Sequence, residues 1–326
     1  MRYDRDGFPI PAEFEPRVDH EGFSPPPPGI RPRTGTAPVP PGTSAAGTAP
    51  RRKAGTLKRW LLLGVMAGAV IPTVVVPEVM PAVRQMVVEW SLDQAAEREV
   101  GDDIPAAISH LDRAIAWHGD DARLICMRAM LRLQDRDAVG ALADADRAAA
   151  MAPTSPQPHR VRALAHTVMG RADAALSDVG AVVDLAAPGD ADALNLRAYT
   201  RALVGRELPE ALLDIEQALE RTGEESPELL DTRGYVLHLL GRNQEAIDDL
   251  NRAIDGMQSF RRRIAQLRGR IDHGELEQRL RSAEHGLAVM HHHRAEACQA
   301  AGHGDQAVQD FEIARQKGFD PTRGIF

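Results

Sequence analysis

Thr232–Ala253 reads TRGYVLHLLGRNQEAIDDLNRA. Small residues stand at Gly234, Ala246 and Ala253, 12 and then 7 positions apart. An apolar run stops at Leu240-Gly241-Arg242, and Ala246, Ile247 and Leu250 resume it at helical spacing. A helix, a turn ended by glycine and a second helix account for this order, because glycine takes positive φ at little cost and closes a helix there. The same small-residue triplet recurs as Ala95/Ala107/Ala114, Ala129/Ala141/Ala148, Ala163/Ala175/Val182, Ala198/Ala211/Ala218 and Ala295/Ala307/Ala314. Successive triplets begin 34, 34, 35, 36 and 61 residues apart. One such unit cannot bury its apolar face alone, so a fixed period predicts units stacked in a row. Small residues suit the points where helices cross, since larger side chains push the axes apart.

Gly170, Gly205, Gly241 and Gly302 each fall seven residues after the first small position of their unit, and positive φ is expected at all four. Pro153, Pro188, Pro227 and Pro321 fall in the links between units or just past the last one. On these triplets, glycines and prolines the units resemble tetratricopeptide repeats, helix–turn–helix units of about 34 residues. The resemblance spans residues 82–321. It implies an all-α, right-handed superhelical solenoid of about six units, with a long helical hairpin inserted before the last. The family's Trp and several of its aromatics are missing. Leu111, Ala145 and Val179 stand where an aromatic is frequent, and Phe311 keeps one.

A charge pattern runs inside the units. Arg128, Arg162, Arg197, Arg233 and Arg294 each precede the first small residue, and Asp144, Asp178, Asp214, Asp249 and Asp310 each lie four before the last. The first unit lacks both and has Gln94 and His110 instead. Joint loss predicts that the charges meet, as a ladder of Arg–carboxylate pairs between first and second helices. Separate solvated charges are the alternative.

The last spacing is long by 27 residues, and the excess lies between Ala253 and Ala295. Phe260, Ile264, Leu267 and Ile271 keep helical spacing, and Leu276, Leu280, Leu287 and Met290 take it up again. A projecting antiparallel hairpin over 257–290 is expected, turning near Gly274. One arm carries Arg261, Arg262, Arg263, Arg268 and Arg270, the other Glu275, Glu277 and Glu284. Mutual neutralisation across the hairpin is the simpler reading; a basic docking spot for an acidic partner is the sharper one.

Residues 1–59 hold twelve of the 23 prolines, including Pro25-Pro26-Pro27-Pro28, and few large apolar residues. Such a leader cannot bury enough surface to offset chain entropy, and disorder is expected. Trp60–Pro77 reads WLLLGVMAGAVIPTVVVP, 18 residues without a charge, directly after Arg51, Arg52, Lys53, Lys58 and Arg59. A transmembrane anchor helix over 60–80 is expected from that length, with the N-terminus cytoplasmic and the repeat domain, 82–326, extracytoplasmic: periplasm or cell envelope in a bacterium. A signal peptide cleaved near Ala67-Gly68-Ala69 and a buried core helix are the rivals. The first would require a 59-residue leader, and the second does not explain the adjacent basic cluster.

The chain has 326 residues and a formal net charge of −8; residues 1–59 carry +4 and the remainder −12. An acidic repeat domain is a poor general ligand for phosphate backbones, so nucleic acid is not an expected partner. Cys126 and Cys298 occupy inner positions of distant units and are read as buried thiols. The chain contains no phosphate-binding glycine loop, G-x-S-x-G elbow or H-E-x-x-H. His291-His292-His293 is eye-catching, but consecutive helical residues point about 100° apart and cannot all face one metal. No metal, cofactor, small-molecule substrate or catalytic residue is expected.

In the family resembled, first helices line a concave groove for extended or helical peptides. Carrying that geometry over gives candidate lining positions three before, one after and four after each first small residue. They include Cys126, Met130, Leu133, Leu164, Thr167, Ala202, His292, Glu296 and Gln299. The most promising patch is Arg160, Asn195, Tyr199, Asp231, Tyr235 and His238, which mixes aromatic and polar groups. The Lys and Asn clamp with which some members hold a C-terminal carboxylate is absent. The function expected is a membrane-anchored, non-catalytic scaffold or adaptor for protein or peptide partners. A soluble cytoplasmic adaptor, and an accessory subunit or enzyme using groove histidines such as His238 and His292, are the alternatives.

Overall fold

The computed structural model describes residues 76–223 and 226–320. Among them every regular element is a helix: α1 (Val76–Val100), α2 (Ile104–His118), α3 (Ala122–Gln134), α4 (Ala138–Met151), α5 (Pro156–Val168), α6 (Ala172–Leu185), α7 (Ala191–Val204), α8 (Leu208–Thr222), α9 (Pro227–Leu239), α10 (Asn243–Ala265), α11 (His273–Ala300) and α12 (Gly304–Gln316). Odd-numbered helices carry the first small position of each triplet and even-numbered helices carry the other two. The fold is an all-α row of six helix–turn–helix units, as the period predicts. All eighteen triplet positions are buried, most of them completely. A close approach governs Gly234 in particular: a Cβ built there would lie 2.7 Å from Leu250 Cγ and 3.2 Å from the Ala246 carbonyl oxygen.

The turns follow one rule. Gly170, Gly205, Gly241 and Gly302 have φ of 69, 65, 79 and 82°. The first two units put Asp102 and Arg136 at the equivalent position, and these residues also adopt positive φ, 60 and 65°. The left-handed residue is therefore a property of the unit, while glycine is only its commonest occupant. In the fourth unit Glu207 is left-handed as well (φ 53°), which absorbs the extra residue between Ala198 and Ala211. Side chains of Asp103, Asp121, Asp137, Ser155, Asp190 and Asp272 accept hydrogen bonds from first-turn N–H groups and fix where helices begin. Pro227 opens α9 as its first residue rather than standing in the link. Pro321 lies outside the described residues.

All five arginine–aspartate pairs form. Arg128 donates from Nε and Nη2 to Asp144 at 2.9 and 2.6 Å, and Arg197 likewise to Asp214 at 2.7 and 2.7 Å. Arg233 holds Asp249 at 2.6 and 2.8 Å, and Arg294 holds Asp310 at 2.8 and 2.6 Å. Arg162 reaches Asp178 from Nε at 2.8 Å. Every one of these aspartates is buried. Several arginines also reach backwards. Arg128 Nη1 meets Asp112 at 2.6 Å, Arg162 Nη1 meets Asp146 at 3.2 Å, and Arg294 Nη1 meets Asn251 at 2.7 Å. Each of those acceptors belongs to the second helix of the preceding unit and lies two before its last small residue. The guanidinium thus satisfies its own unit's carboxylate and ties that unit to its neighbour. In the first unit Gln94 donates instead to Glu97, and His110 packs edge-on to Trp90, which Arg113 covers at 5.3 Å. Burial, with Arg113 and Arg98 nearby, depresses the His110 pKa.

The long hairpin is present as α10 and α11, 23 and 28 residues. Its turn, however, is residues 266–272, with Gly269 left-handed at φ 80°. Gly274 is in the first turn of α11, because Asp272 caps that helix through the N–H groups of Gly274 and Glu275. Across the arms Arg261 pairs with Glu284, which Lys317 also meets at 2.5 Å. Arg279 instead stays on its own arm with Glu275 at 2.6 Å. Neutralisation across the hairpin is partial.

The expected membrane anchor is corrected. Among the described residues no helix is long and apolar enough to cross a membrane. The end of the expected span, residues 76–80, is the opening of α1, which continues to Val100 and carries Arg84, Glu89, Asp93, Glu97 and Arg98. Charges at that density have no place in hydrocarbon. Trp60–Val75 and the proline-rich leader 1–59 lie outside the described residues. The single-pass topology and the extracytoplasmic placement built on that anchor are withdrawn with it.

Candidate functional site

First helices of successive units touch in order, α3 with α5, α5 with α7, α7 with α9 and α9 with α11. Residues at one position of each first helix therefore form a column along the row. The position after the first small residue reads Met130, Leu164, Tyr199, Tyr235 and Glu296; the position three before it reads Cys126, Arg160, Asn195, Asp231 and His292.

In the middle of this face the structure brings four side chains together. The Tyr199 and Tyr235 rings lie 6.1 Å apart, and His293 stacks on Tyr235 at 4.2 Å while meeting Tyr199 edge-on at 6.2 Å. His293 Nδ1 is 3.0 Å from Asp231 Oδ1, and both residues are buried. Sequence reasoning misses His293, because it lies two before Ala295 and outside the three positions considered. The signal available was the stacking of successive first helices, which puts that position against the preceding unit.

The three consecutive histidines diverge as helical geometry demands. His291 Nδ1 meets Asp310 Oδ1 at 2.7 Å within the arginine ladder. His292 stacks on Phe319 at 4.2 Å, meets Phe311 at 5.4 Å and lies 3.5 Å from a Glu296 carboxylate oxygen. His293 faces Asp231 and the tyrosines. His238 is half-buried with Nδ1 2.8 Å from Asn243 Oδ1, at the turn edge of the patch.

Electrostatics follow from these neighbours. Burial, reinforced by the negative charges of Glu296 and Asp231, pushes the Tyr235 phenol up to about 12. Burial raises Tyr199 further, with Asp231 the main charged contributor. Both phenols are neutral donors at any physiological pH. Burial would raise Glu296, but the His292 ring at 3.5 Å and the nearby His293 and His238 outweigh it, and its carboxyl lies below the usual range.

Asn195 lies one helical turn before Tyr199 on α7, and Arg160 takes the same position in the unit before, on α5. Both are half-buried. Arg160 Nε and Asn195 Oδ1 are buried with no hydrogen-bond partner in the chain. Only three other buried side-chain atoms share that condition among the described residues: Ser91 Oγ, His110 Nδ1 and His166 Nδ1. The cysteines are free and buried, and burial together with Asp144 and Asp121 pushes the Cys126 thiol up to about 12.

No protein-family model matches the sequence, and no curated protein matches it. Solved structures with a similar backbone include a thermophilic TPR protein of Thermus thermophilus, 20% identical, covering 60% of this chain and 98% of that one with a TM-score of 0.47. A tetratricopeptide repeat protein from Parabacteroides merdae is 18% identical and covers 72% of this chain and 94% of its own, with a TM-score of 0.44. A MamA fragment from Desulfovibrio magneticus is 14% identical and covers 53% and 96%, with a TM-score of 0.43. The repeat architecture rests on this chain's own buried triplets and paired helices, and these likenesses assign it no function.

Proposed function

We propose that residues 82–326 act as one repeat domain that binds a protein or peptide segment along the first-helix face, without catalysis, as a scaffold or adaptor. Arg160, Asn195, Tyr199, Asp231, Tyr235 and His238 are the contact residues of this reading. The observation that carries it is the pair of unspent polar atoms, Arg160 Nε and Asn195 Oδ1. Buried polar groups are almost always hydrogen-bonded. Here a donor and an acceptor occupy the same position of adjacent units, beside a tyrosine pair, on the face where a peptide backbone could supply both partners. Tyrosine and arginine are also the side chains that most often dominate interface energies.

The test is a binding scan with the full chain. Immobilised wild-type protein and the variants Asn195→Ala, Arg160→Ala and Tyr199→Ala are compared against a peptide array, with Val139→Ser as the control on an exposed second-helix position. The expected result is loss of the same array signals, about tenfold or more, in the three face variants and not in the control. Signals that survive all three substitutions would move binding off this face.

A further inference from the structure

We propose that the end of the first-helix face between Tyr199 and Glu296 accepts a lysine or arginine side chain of the bound segment. This rests on the binding reading above and specifies the chemistry of the partner.

The face is graded in charge. The position three before the small residue runs from Arg160 through Asn195 to Asp231 and then His292, and the position after it runs from two tyrosines to Glu296. The cationic end is therefore in the third unit and the anionic end in the fifth and sixth. The arginines of those last first helices do not offset the acids at the face, because Arg233 and Arg294 are committed to Asp249 and Asp310. Asp231 and Glu296 meet histidines instead, Asp231 at 3.0 Å from His293 and Glu296 at 3.5 Å from His292. The second contact is long, and the Glu296 side chain is 36% exposed, so a carboxylate stays open at the surface.

Beside it are the rings of Tyr199 and Tyr235. One face of Tyr235 is taken by His293 at 4.2 Å, which fixes the ring. Both phenols are neutral and add no charge of their own. A cation next to a fixed phenol ring and an ionised carboxylate gains from the ring quadrupole and from a partly desolvated charge pair. An acidic side chain placed there would meet the Glu296 carboxylate instead. The grading also gives the ligand a direction: its cationic residue lies towards α11, and its acidic or carbonyl-rich part towards Arg160.

The test uses fluorescence polarisation with the full chain and four labelled octapeptide pools. Each pool fixes one central residue as lysine, arginine, norleucine or glutamate and randomises the rest. The lysine and arginine pools are expected to bind about tenfold more tightly than the norleucine pool, and the glutamate pool more weakly still. Glu296→Gln, a near-isosteric change at a partly exposed side chain, is expected to reduce the lysine-to-norleucine ratio at least about threefold, while Val139→Ser, on an exposed second-helix position, leaves that ratio unchanged. Pools that all bind equally, with Glu296→Gln silent, would overturn the cationic preference and leave the binding face standing. A preference for the glutamate pool, or no binding by the lysine and arginine pools, also overturns it.

Discussion

Asp310 and Arg294 share two hydrogen bonds, 2.8 Å from Nε and 2.6 Å from Nη2, with the aspartate only 1% exposed. His291 adds a third contact at 2.7 Å. This rung closes the last unit, and its removal leaves an uncompensated guanidinium in a shielded place. Breaking one partner of a buried pair costs about 3–5 kcal/mol. Asp310→Ala is therefore expected to lower the thermal midpoint by many degrees. Glu312→Gln, two residues on in an exposed pair with Arg315, is expected to leave it unmoved. Differential scanning calorimetry on the two variants separates these outcomes.

The same rung predicts acid sensitivity. Burial alone would raise the Asp310 carboxyl, but hydrogen bonds from His291 and Arg294 and the charge of both outweigh it and hold it below its ordinary value of 3.8. A depressed folded-state pKa means that the stabilisation is complete above 3.8 and is lost as pH falls from there through the folded value. Urea titrations between pH 7 and pH 3 are expected to show the loss beginning near the bottom of that range. In Asp310→Asn the same limb should be shallower. An unchanged slope would exclude Asp310 as a contributor.

Arg136 keeps a backbone conformation, φ 65°, that four other units assign to glycine. The left-handed form costs an L-residue roughly 1–2 kcal/mol, against about 0.5–1 kcal/mol for the extra unfolded-state freedom of glycine. Arg136→Gly is therefore expected to stabilise the domain by about 0.5–1 kcal/mol. The mirror experiment is Gly170→Ala, where φ is 69° and nothing lies within 4 Å of the added Cβ. Its cost, about 1 kcal/mol, is backbone strain alone. Chemical denaturation midpoints report both.

Gly234 gives the opposite lesson about small residues. The other five units have alanine at this position, yet an added Cβ here would lie 2.7 Å from Leu250 Cγ. Gly234→Ala gains about 1 kcal/mol of helix propensity and loses about 1–3 kcal/mol to overpacking. A net destabilisation is expected, and Leu250→Ala in the same chain should relieve part of it. Additive losses in the double variant would contradict the close approach.

Much of this architecture is legible because it is periodic. The triplets, the four turn glycines and the five Arg–Asp rungs each recur in register, and a recurring residue is a repeated physical demand. What escapes is what occurs once. Asp102 and Arg136 meet the left-handed demand without glycine, so residue type alone conceals them. Gly274 reads as a turn residue, but Asp272 captures its N–H and starts a helix there. His293 takes its role from the unit before it, which periodicity within a unit does not expose. The expected anchor follows from apolar length at 60–80, whereas the described portion of that stretch opens a helix rich in charge. Of the candidate patch, Tyr199, Asp231 and Tyr235 come together; Arg160, Asn195 and His238 flank them.

The backward reach of the arginines has a gap. Asp112, Asp146 and Asn251 each receive a guanidinium N–H from the following unit. At the junction between the third and fourth units that place is Gly180, which has no side chain to offer Arg197. Under tension or rising denaturant, the stack should part there first, leaving two fragments that melt separately. Hydrogen exchange should then reveal early opening of amides in α6 and α7 while those of α9–α11 remain protected.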